Sequence, residues 1–365
     1  MIIYFVNFPD AIPDFLLHLG FIDDIGVLAF IMGQLKVEID DYKKFKISKK
    51  QGKIMIDKYK GTLLGLAIGD ALGTTLEFLE KEDLDGKLHT EIIGLGKLNL
   101  NKGDWTDDTS MALCLAESLI SCQSFDAYDQ MNKYVKWYKE GYMTPNGKCV
   151  DIGMGTLRAL SFYQITKNPY LFGDENSLGN GSIMRLAPIP MFFYPNIEDT
   201  LKYSSLSSKM THPGELCLQS CKALALIIFN AFEGKNKEDM LDIIDPEIYG
   251  ITDFEVCHIL KGSYKEKSED DIKNSGFVLD TLEAALWAFY TTDSFEDALI
   301  KAVNLCGDAD TIGAVCGQIA GAYYGVDNIP ERWLSVLTAR EMIKEKAQEL
   351  YEISIKKTSN SEYKR

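Results

Sequence analysis

The sequence predicts a mainly α-helical protein, and three observations carry that expectation. From Lys60 onward, most long segments of the 365-residue chain set apolar residues at helical spacing. Met111, Leu115 and Leu119 show it, as does the run from Glu215 to Phe229. Strand-like alternation is scarce. Two stretches, KGTLLGLAIGDALGTTLEF and DTIGAVCGQIAGAYYG, repeat glycine at every fourth residue, a period that lines one face of a helix.

Taken in chain order, the apolar start MIIYFVNF lacks a basic flank, and Asp10, Asp14, Asp23 and Asp24 interrupt the next stretch, so no secretory signal is expected. Residues 13–45 have a helical pattern. The lysine-rich stretch over residues 42–60 reads as a linker. The expected organisation is therefore a helical appendage over residues 1–50 and a main domain over residues 53–350. No uninterrupted run of 18 apolar residues is present, so no membrane span is assigned.

The glycine faces need a reason, because each interior glycine costs a helix roughly 1 kcal/mol relative to alanine. Gly61, Gly65, Gly69 and Gly73 share one face, and Gly313, Gly317, Gly321 and Gly325 share another. Such faces let another backbone approach closely. A transmembrane dimer is the rival reading, but Asp70 and Gln318 interrupt apolar runs already too short to span. Close packing inside a bundle wins. If the two helices pack antiparallel, Glu77 at the end of the first meets Asp308 and Asp310 at the start of the second. The charged, turn-rich segment from Gly234 to Asn274 reads as surface insertions.

Charge narrows the function classes. The chain carries 38 basic and 54 acidic residues, a net charge of -16, which disfavours a nucleic-acid partner. Eight cysteines without a CxxC pair suggest neither a zinc ribbon nor a disulfide framework, and Cys217 and Cys221 read as buried thiols. A reducing, cytoplasmic compartment is expected.

Chemistry concentrates at two helix starts. GDWTDDTSMAL places Thr106, Asp107 and Asp108 ahead of an apolar helical pattern, and NLCGDADTIGAV places Asp308, Asp310 and Thr311 likewise. One such cluster is explained by N-capping and the helix dipole. Two matching clusters about 200 residues apart suggest one shared site for hard cations, which take carboxylate and hydroxyl oxygens. Adding Glu77 gives oxygens enough for two Mg²⁺ ions. Elsewhere, the glycine-rich run GDENSLGNGSIMRLAPIP can turn successive N–H groups toward an anion. Arg185 within it reads as structural and Met184 as packing near a ligand. Asp151, in VDIGMGT, reads as an N-cap for a helix beginning near Gly153, and His212, in THPGE, as a structural hydrogen-bonder. Asp70 reads as a buried hydrogen-bond partner.

From Lys60 to Trp333 the chain resembles the ADP-ribosylglycohydrolase family, which includes the dinitrogenase-reductase-activating glycohydrolases and the vertebrate ADP-ribosyl-acceptor hydrolases. The motifs that carry the resemblance are GLAIGDALGTTLEF, GDWTDDTSMAL, DIGMGT, GNGSIMRLAPI, THP and GDADTIGA, in the family's order. The resemblance implies an all-α bundle around a binuclear Mg²⁺ centre, with Mn²⁺ as the alternative. It makes Thr106, Asp107, Asp108, Asp308, Asp310 and Thr311 metal ligands and puts Glu77 beside or on the second metal. Gly179, Asn180, Gly181 and Ser182 would face a diphosphate, with Met184 and His212 also on the ligand. Asp151, Glu77 and Asp108 are the candidate catalytic carboxylates, and proton transfer stays open between Asp151 and Glu77.

The implied activity is hydrolysis of the N- or O-glycosidic bond between ADP-ribose and a modified acceptor. Protein arginine is favoured over serine or small O-linked adducts. A non-catalytic ADP-ribose reader or structural protein on the same scaffold is one rival and a Mg²⁺-dependent hydrolase of free nucleotide-sugars another, but neither acidic cluster lacks a ligand residue. Two departures stand out: Met154 replaces the asparagine of the common DIGNTT, and Cys306 stands where glycine is usual. Separately, DAIPDFLLHLGFIDDIGVLAFIMGQLKVEIDDYKKF resembles the second half of a YkvA-like domain of unknown function.

Overall fold

A computed structural model describes residues 17–170 and 176–362. The apolar start MIIYFVNF, the first residues of the YkvA-like stretch and residues 173–175 of the glycine-rich run lie outside the described residues.

The chain order is α1 (Leu17–Gly73), α2 (Asp107–Cys122), α3 (Ala127–Glu140), α4 (Met154–Thr166) and α5 (Pro188–Phe193). Then come α6 (Ile197–Lys209), α7 (Glu215–Phe232), α8 (Lys237–Leu241), α9 (Phe254–Leu260) and α10 (Val278–Tyr290). The last four are α11 (Phe295–Val303), α12 (Ala309–Tyr324), α13 (Glu331–Leu334) and α14 (Arg340–Glu362). Among the described residues only two isolated bridges, Leu95–Leu100 and Gly179–Phe277, have strand character, so the all-α expectation holds.

The chain falls into two compact units, Met1–Ile54 and Met55–Arg365, divided inside α1. In the second unit α12 is the central helix. Every residue from Ala309 to Ala322 is buried, and α7, α10 and α11 pack against it. The 18-residue α7 is apolar enough to cross a membrane by length and composition, but 72% of it is buried inside the bundle. It is a core helix.

The glycine faces meet, and they meet antiparallel. A β-carbon on Gly61 would lie 2.4 Å from the Gly321 carbonyl oxygen, one on Gly65 2.2 Å from that of Gly317, and one on Gly69 2.0 Å from that of Gly313. Gly73 faces Ala309. Gly325 is the exception in the expected row: it follows the end of α12 with φ 78° and takes the left-handed backbone there. Along this seam no side chain separates the two backbones.

Two expectations need correction. Residues 42–60, read as a linker, do hold the boundary between the two units but run helical within α1, because lysine is a good helix former and its charge can stay in water. From Tyr59 onward that helix is core: the Tyr59 hydroxyl donates to the Met191 carbonyl (2.8 Å) and its ring stacks on Phe232. The segment from Gly234 to Asn274 is also more than surface insertion. Met240, Leu241, Ile251, Val256, Leu260 and Tyr264 are buried, and so is Lys237, while most of its other charges face out. At the other end α14 carries packing past residue 350, with Ile353 and Ser354 buried.

Candidate active site

Asp70, on the glycine-faced part of α1, organises the start of α2. Its Oδ1 accepts from the backbone N–H (2.9 Å) and hydroxyl (3.0 Å) of Thr106, and its Oδ2 from the backbone N–H (3.0 Å) and hydroxyl (2.6 Å) of Thr109. The cap of α2 therefore comes from another helix. Neither Thr106 nor Asp308, the N-cap residues of α2 and α12, caps its own helix through its side chain. Capping does not account for the acidic clusters, whose carboxylates are turned to something else.

They are turned to each other. Glu77, Asp308 and Asp310 each offer an oxygen within 4.8 Å of the others, and so do Asp70, Asp108 and Asp310. The Asp310 N–H donates to Glu77 Oε2 (3.3 Å), the Thr311 N–H to Asp310 Oδ1 (2.7 Å), and the Thr311 hydroxyl lies 3.4 Å from Asp108 Oδ1. Antiparallel packing of the glycine faces is what brings Glu77 here from one helix end and the aspartates from the opposite end of another.

So many buried carboxyls cannot all stay charged unaided. Burial first, then mutual repulsion, pushes Asp107, Asp108 and Asp310 well above the usual carboxylate range. Burial, Asp310 and Asp308 push Glu77 up to about 12, and burial raises Asp308 to about 6. Asp108 Oδ2 is buried without a hydrogen-bond partner among the described residues. An orphaned carboxylate oxygen among mutually repelling acids is the donor set of a hard cation. The residues present fit divalent cations. Asp70 accepts four hydrogen bonds from Thr106 and Thr109, so it holds the start of α2 in place beside the other carboxylates.

A cavity of about 630 Å³ opens over this centre, within the range of small-molecule sites. Glu77, Asp107, Asp151, Asp308 and Thr311 line one part; Gly179, Asn180, Gly181, Met184 and His212 line another. Thr106, Asp108 and Asp310 are buried beneath. The Gly181 and Ser182 N–H groups meet no acceptor among the described residues, as an anion cradle requires.

Two cradle residues behave otherwise than expected. The Ser182 hydroxyl turns inward to Ser208 (2.8 Å) and Cys221 (3.5 Å), so its side chain does not face the ligand space. The Asn180 N–H is spent on the Gly276 carbonyl (3.1 Å), and its amide donates to Thr281 (2.8 Å) and Asp308. Asn180 thus orients a carboxylate of the centre.

Asp151 sits at the cavity wall in the left-handed region (φ 54°), and burial raises its carboxyl. It is not a cap, since Gly153 holds that position of α4. Cys306 also takes a left-handed backbone (φ 60°), which explains why glycine is usual there. Met154 is 62% exposed at the cavity. Sequence reasoning missed Phe78, Glu80 and Asn274 to Gly276, which also line it. Adjacency to Glu77 could have flagged the first two. The third group lies at the end of the segment read as surface insertion and carries no signal of its own.

Buried carboxylates that suit hard cations, beside a cavity of small-molecule size on an all-α scaffold, define a candidate metal-dependent enzyme site. Comparison with known sequences supplies the family. The model described as ADP-ribosylglycohydrolase matches residues 51–360. The chain is 43% identical over 299 residues to ADP-ribosylarginine hydrolase Tri1 of Serratia proteamaculans (strain 568), covering 81% of this chain and 79% of the relative. It is 33% identical to ADP-ribosyl-[dinitrogen reductase] glycohydrolase of Rhodospirillum rubrum, covering 77% and 90%. A solved structure titled ADP-ribosylglycohydrolase-related protein complex superposes with a TM-score of 0.73 at 41% identity, covering 83% of this chain and 99% of that one. The chain belongs to the ADP-ribosylglycohydrolase family.

Proposed function

We propose that this protein hydrolyses the N-glycosidic bond between ADP-ribose and an arginine side chain of a modified protein, with two Mg²⁺ ions at the carboxylate centre. The observation that carries the reading is the convergence of Glu77, Asp308 and Asp310 with Asp107 and Asp108 beside one cavity. The 43% identity to a relative named for ADP-ribosylarginine hydrolysis favours arginine as the acceptor.

Thr106, Asp107, Asp108, Glu77, Asp308, Asp310 and Thr311 would hold the ions. Bound there, divalent cations would supply positive charge near the reacting bond and would lower the pKa of a nearby water. The Gly181 and Ser182 N–H groups receive the diphosphate, and Met184 closes the wall beside it. Asn180 holds the Asp308 carboxylate in place. Hydrolysis breaks the bond between C1 of the distal ribose and the guanidinium nitrogen, water adds its oxygen to C1, and a carboxylate takes the water proton and passes it to the departing guanidine.

We assign that proton to Asp151. It lines the cavity, burial raises its affinity for a proton, and no hydrogen bond among the described residues occupies it. Glu77, already engaged by the Asp310 N–H, fits a ligand's part better. The net charge of -16 argues against nucleic acid as the carrier of the modification, and eight free cysteines suit a reducing, cytoplasmic setting. The test is release of ADP-ribose from ADP-ribosyl-arginine and ADP-ribosyl-serine substrates in parallel. Faster turnover of the arginine substrate supports the reading; turnover of the serine substrate alone refutes it.

A further inference from the structure

Behind the glycine cradle lies a buried polar chain that the proposed chemistry does not use. Arg185 is wholly buried and has no ion-pair partner among the described residues; its guanidinium stacks 5.0 Å over Tyr134. One terminal nitrogen donates to the Gly181 carbonyl, and the other donates to the Thr211 hydroxyl at 2.6 Å. That hydroxyl lies 2.8 Å from His212 Nδ1.

The direction of each bond is set by which group can donate. A guanidinium has no lone pair to offer, so the Thr211 oxygen accepts from Arg185. The single hydroxyl hydrogen of Thr211, a residue without solvent exposure, then has one acceptor among the described residues, His212 Nδ1. Were Nδ1 protonated instead, the hydroxyl would take two donors and strand its own hydrogen in the interior, which proteins avoid. Nδ1 accepts, so the ring hydrogen resides on Nε2. Burial, then the Arg185 charge, lowers His212 to about 3, which keeps the ring neutral.

The Nε2 edge faces the cavity. A β-carbon on Gly155 would lie 3.1 Å from Nε2, and one on Gly181 would lie 2.6 Å from Cε1. The two glycines leave room for the imidazole edge to reach the ligand space, and Nε2 has no partner among the described residues. We infer that Arg185 and Thr211 are positioning residues: they lock His212 in the Nε2–H tautomer, so that it presents a neutral donor to an anionic oxygen of the ligand's diphosphate. The choice of a diphosphate rests on the ADP-ribose reading; the tautomer does not.

The chain has four histidines, so ring-nitrogen NMR of full-length protein labelled at histidine is resolvable, with His212→Gln assigning the signal. The expected wild-type pattern is a protonated Nε2 and a bare Nδ1. Thr211→Val, which keeps shape and removes the hydroxyl, should release the tautomer preference, and Thr211→Ser should restore it. ADP-ribose, titrated by calorimetry, should bind Thr211→Val about tenfold more weakly than Thr211→Ser, as expected for one hydrogen bond to a charged group. A wild-type Nδ1–H tautomer, or one unchanged in Thr211→Val, overturns the relay. A released tautomer with unchanged ADP-ribose affinity overturns the donor role. If wild-type protein binds no ADP-ribose at all, the ligand reading fails, while the NMR pattern still decides the relay.

Discussion

Gly69 of α1 and Gly313 of α12 face each other so closely that a β-carbon on Gly69 would fall 2.0 Å from the Gly313 carbonyl oxygen. No metal ligand is at this contact, yet it sets where Glu77 and Asp310 arrive. Gly69→Leu or Gly317→Leu should therefore weaken divalent-ion binding and turnover together, because overpacking typically costs about 1–3 kcal/mol and displaces backbone. Isothermal titration with Mg²⁺ reads the effect. Unchanged metal affinity in both variants would break the link between seam and site.

Asp310→Asn and Asp107→Asn each remove one charge from a group of carboxyls that burial and mutual repulsion already disfavour. Metal-free variants should melt at or above the wild-type temperature yet show no turnover and no Mg²⁺-induced rise in Tm. Collapse of the metal-free fold would show that these side chains are structural.

The same repulsion gives a pH dependence. Asp308 titrates at about 6, above the ordinary 3.8 of an unfolded aspartate, and Asp107, Asp108 and Asp310 are raised further. Between those values the folded chain binds more protons than the unfolded one, so stability without metal falls as pH rises through the window. Metal binding must expel those protons and tightens over the same range. Urea unfolding of chelated protein at about pH 5 and about pH 8 should show the loss, since the two conditions bracket the Asp308 value. Greater stability at the higher pH would reverse the assigned sign.

Asp151→Asn should lower kcat by about 10²–10⁴, the usual share of a positioned acid or base, while leaving Mg²⁺ affinity intact. Glu77→Gln should lower both. Equal loss of Mg²⁺ affinity in the two variants would place Asp151 among the ligands.

What the sequence made legible was local or periodic. The fourfold glycine spacing announced the seam, and matched carboxylates at two helix starts announced the centre, since each signal sits within one helix. What stayed hidden depends on contacts between distant segments. Asp70 as the cap of α2, Asn180 as the holder of Asp308, and Arg185 reaching Thr211 are all partnerships across the fold. The Ser182 N–H stays available to the cradle, but the turn sends its hydroxyl inward, which the glycine-rich pattern does not reveal. Residues 42–60 misled for another reason: lysine and isoleucine compose an exposed helix as readily as a linker.

Removal of residues 1–50 cuts α1 ahead of its buried part and leaves the unit Met55–Arg365 whole. Turnover by the truncated protein should stay close to that of the full chain. A large loss of kcat in a folded truncation would extend the functional unit into the appendage.

Catalysis at the carboxylate centre is proposed to require bound divalent cations. The most direct measurement is ADP-ribose release from ADP-ribosyl-arginine by full-length protein, first stripped with chelator and then resupplied with Mg²⁺. The expected result is no release from stripped protein and full recovery on resupply. Undiminished release after exhaustive chelation would contradict it.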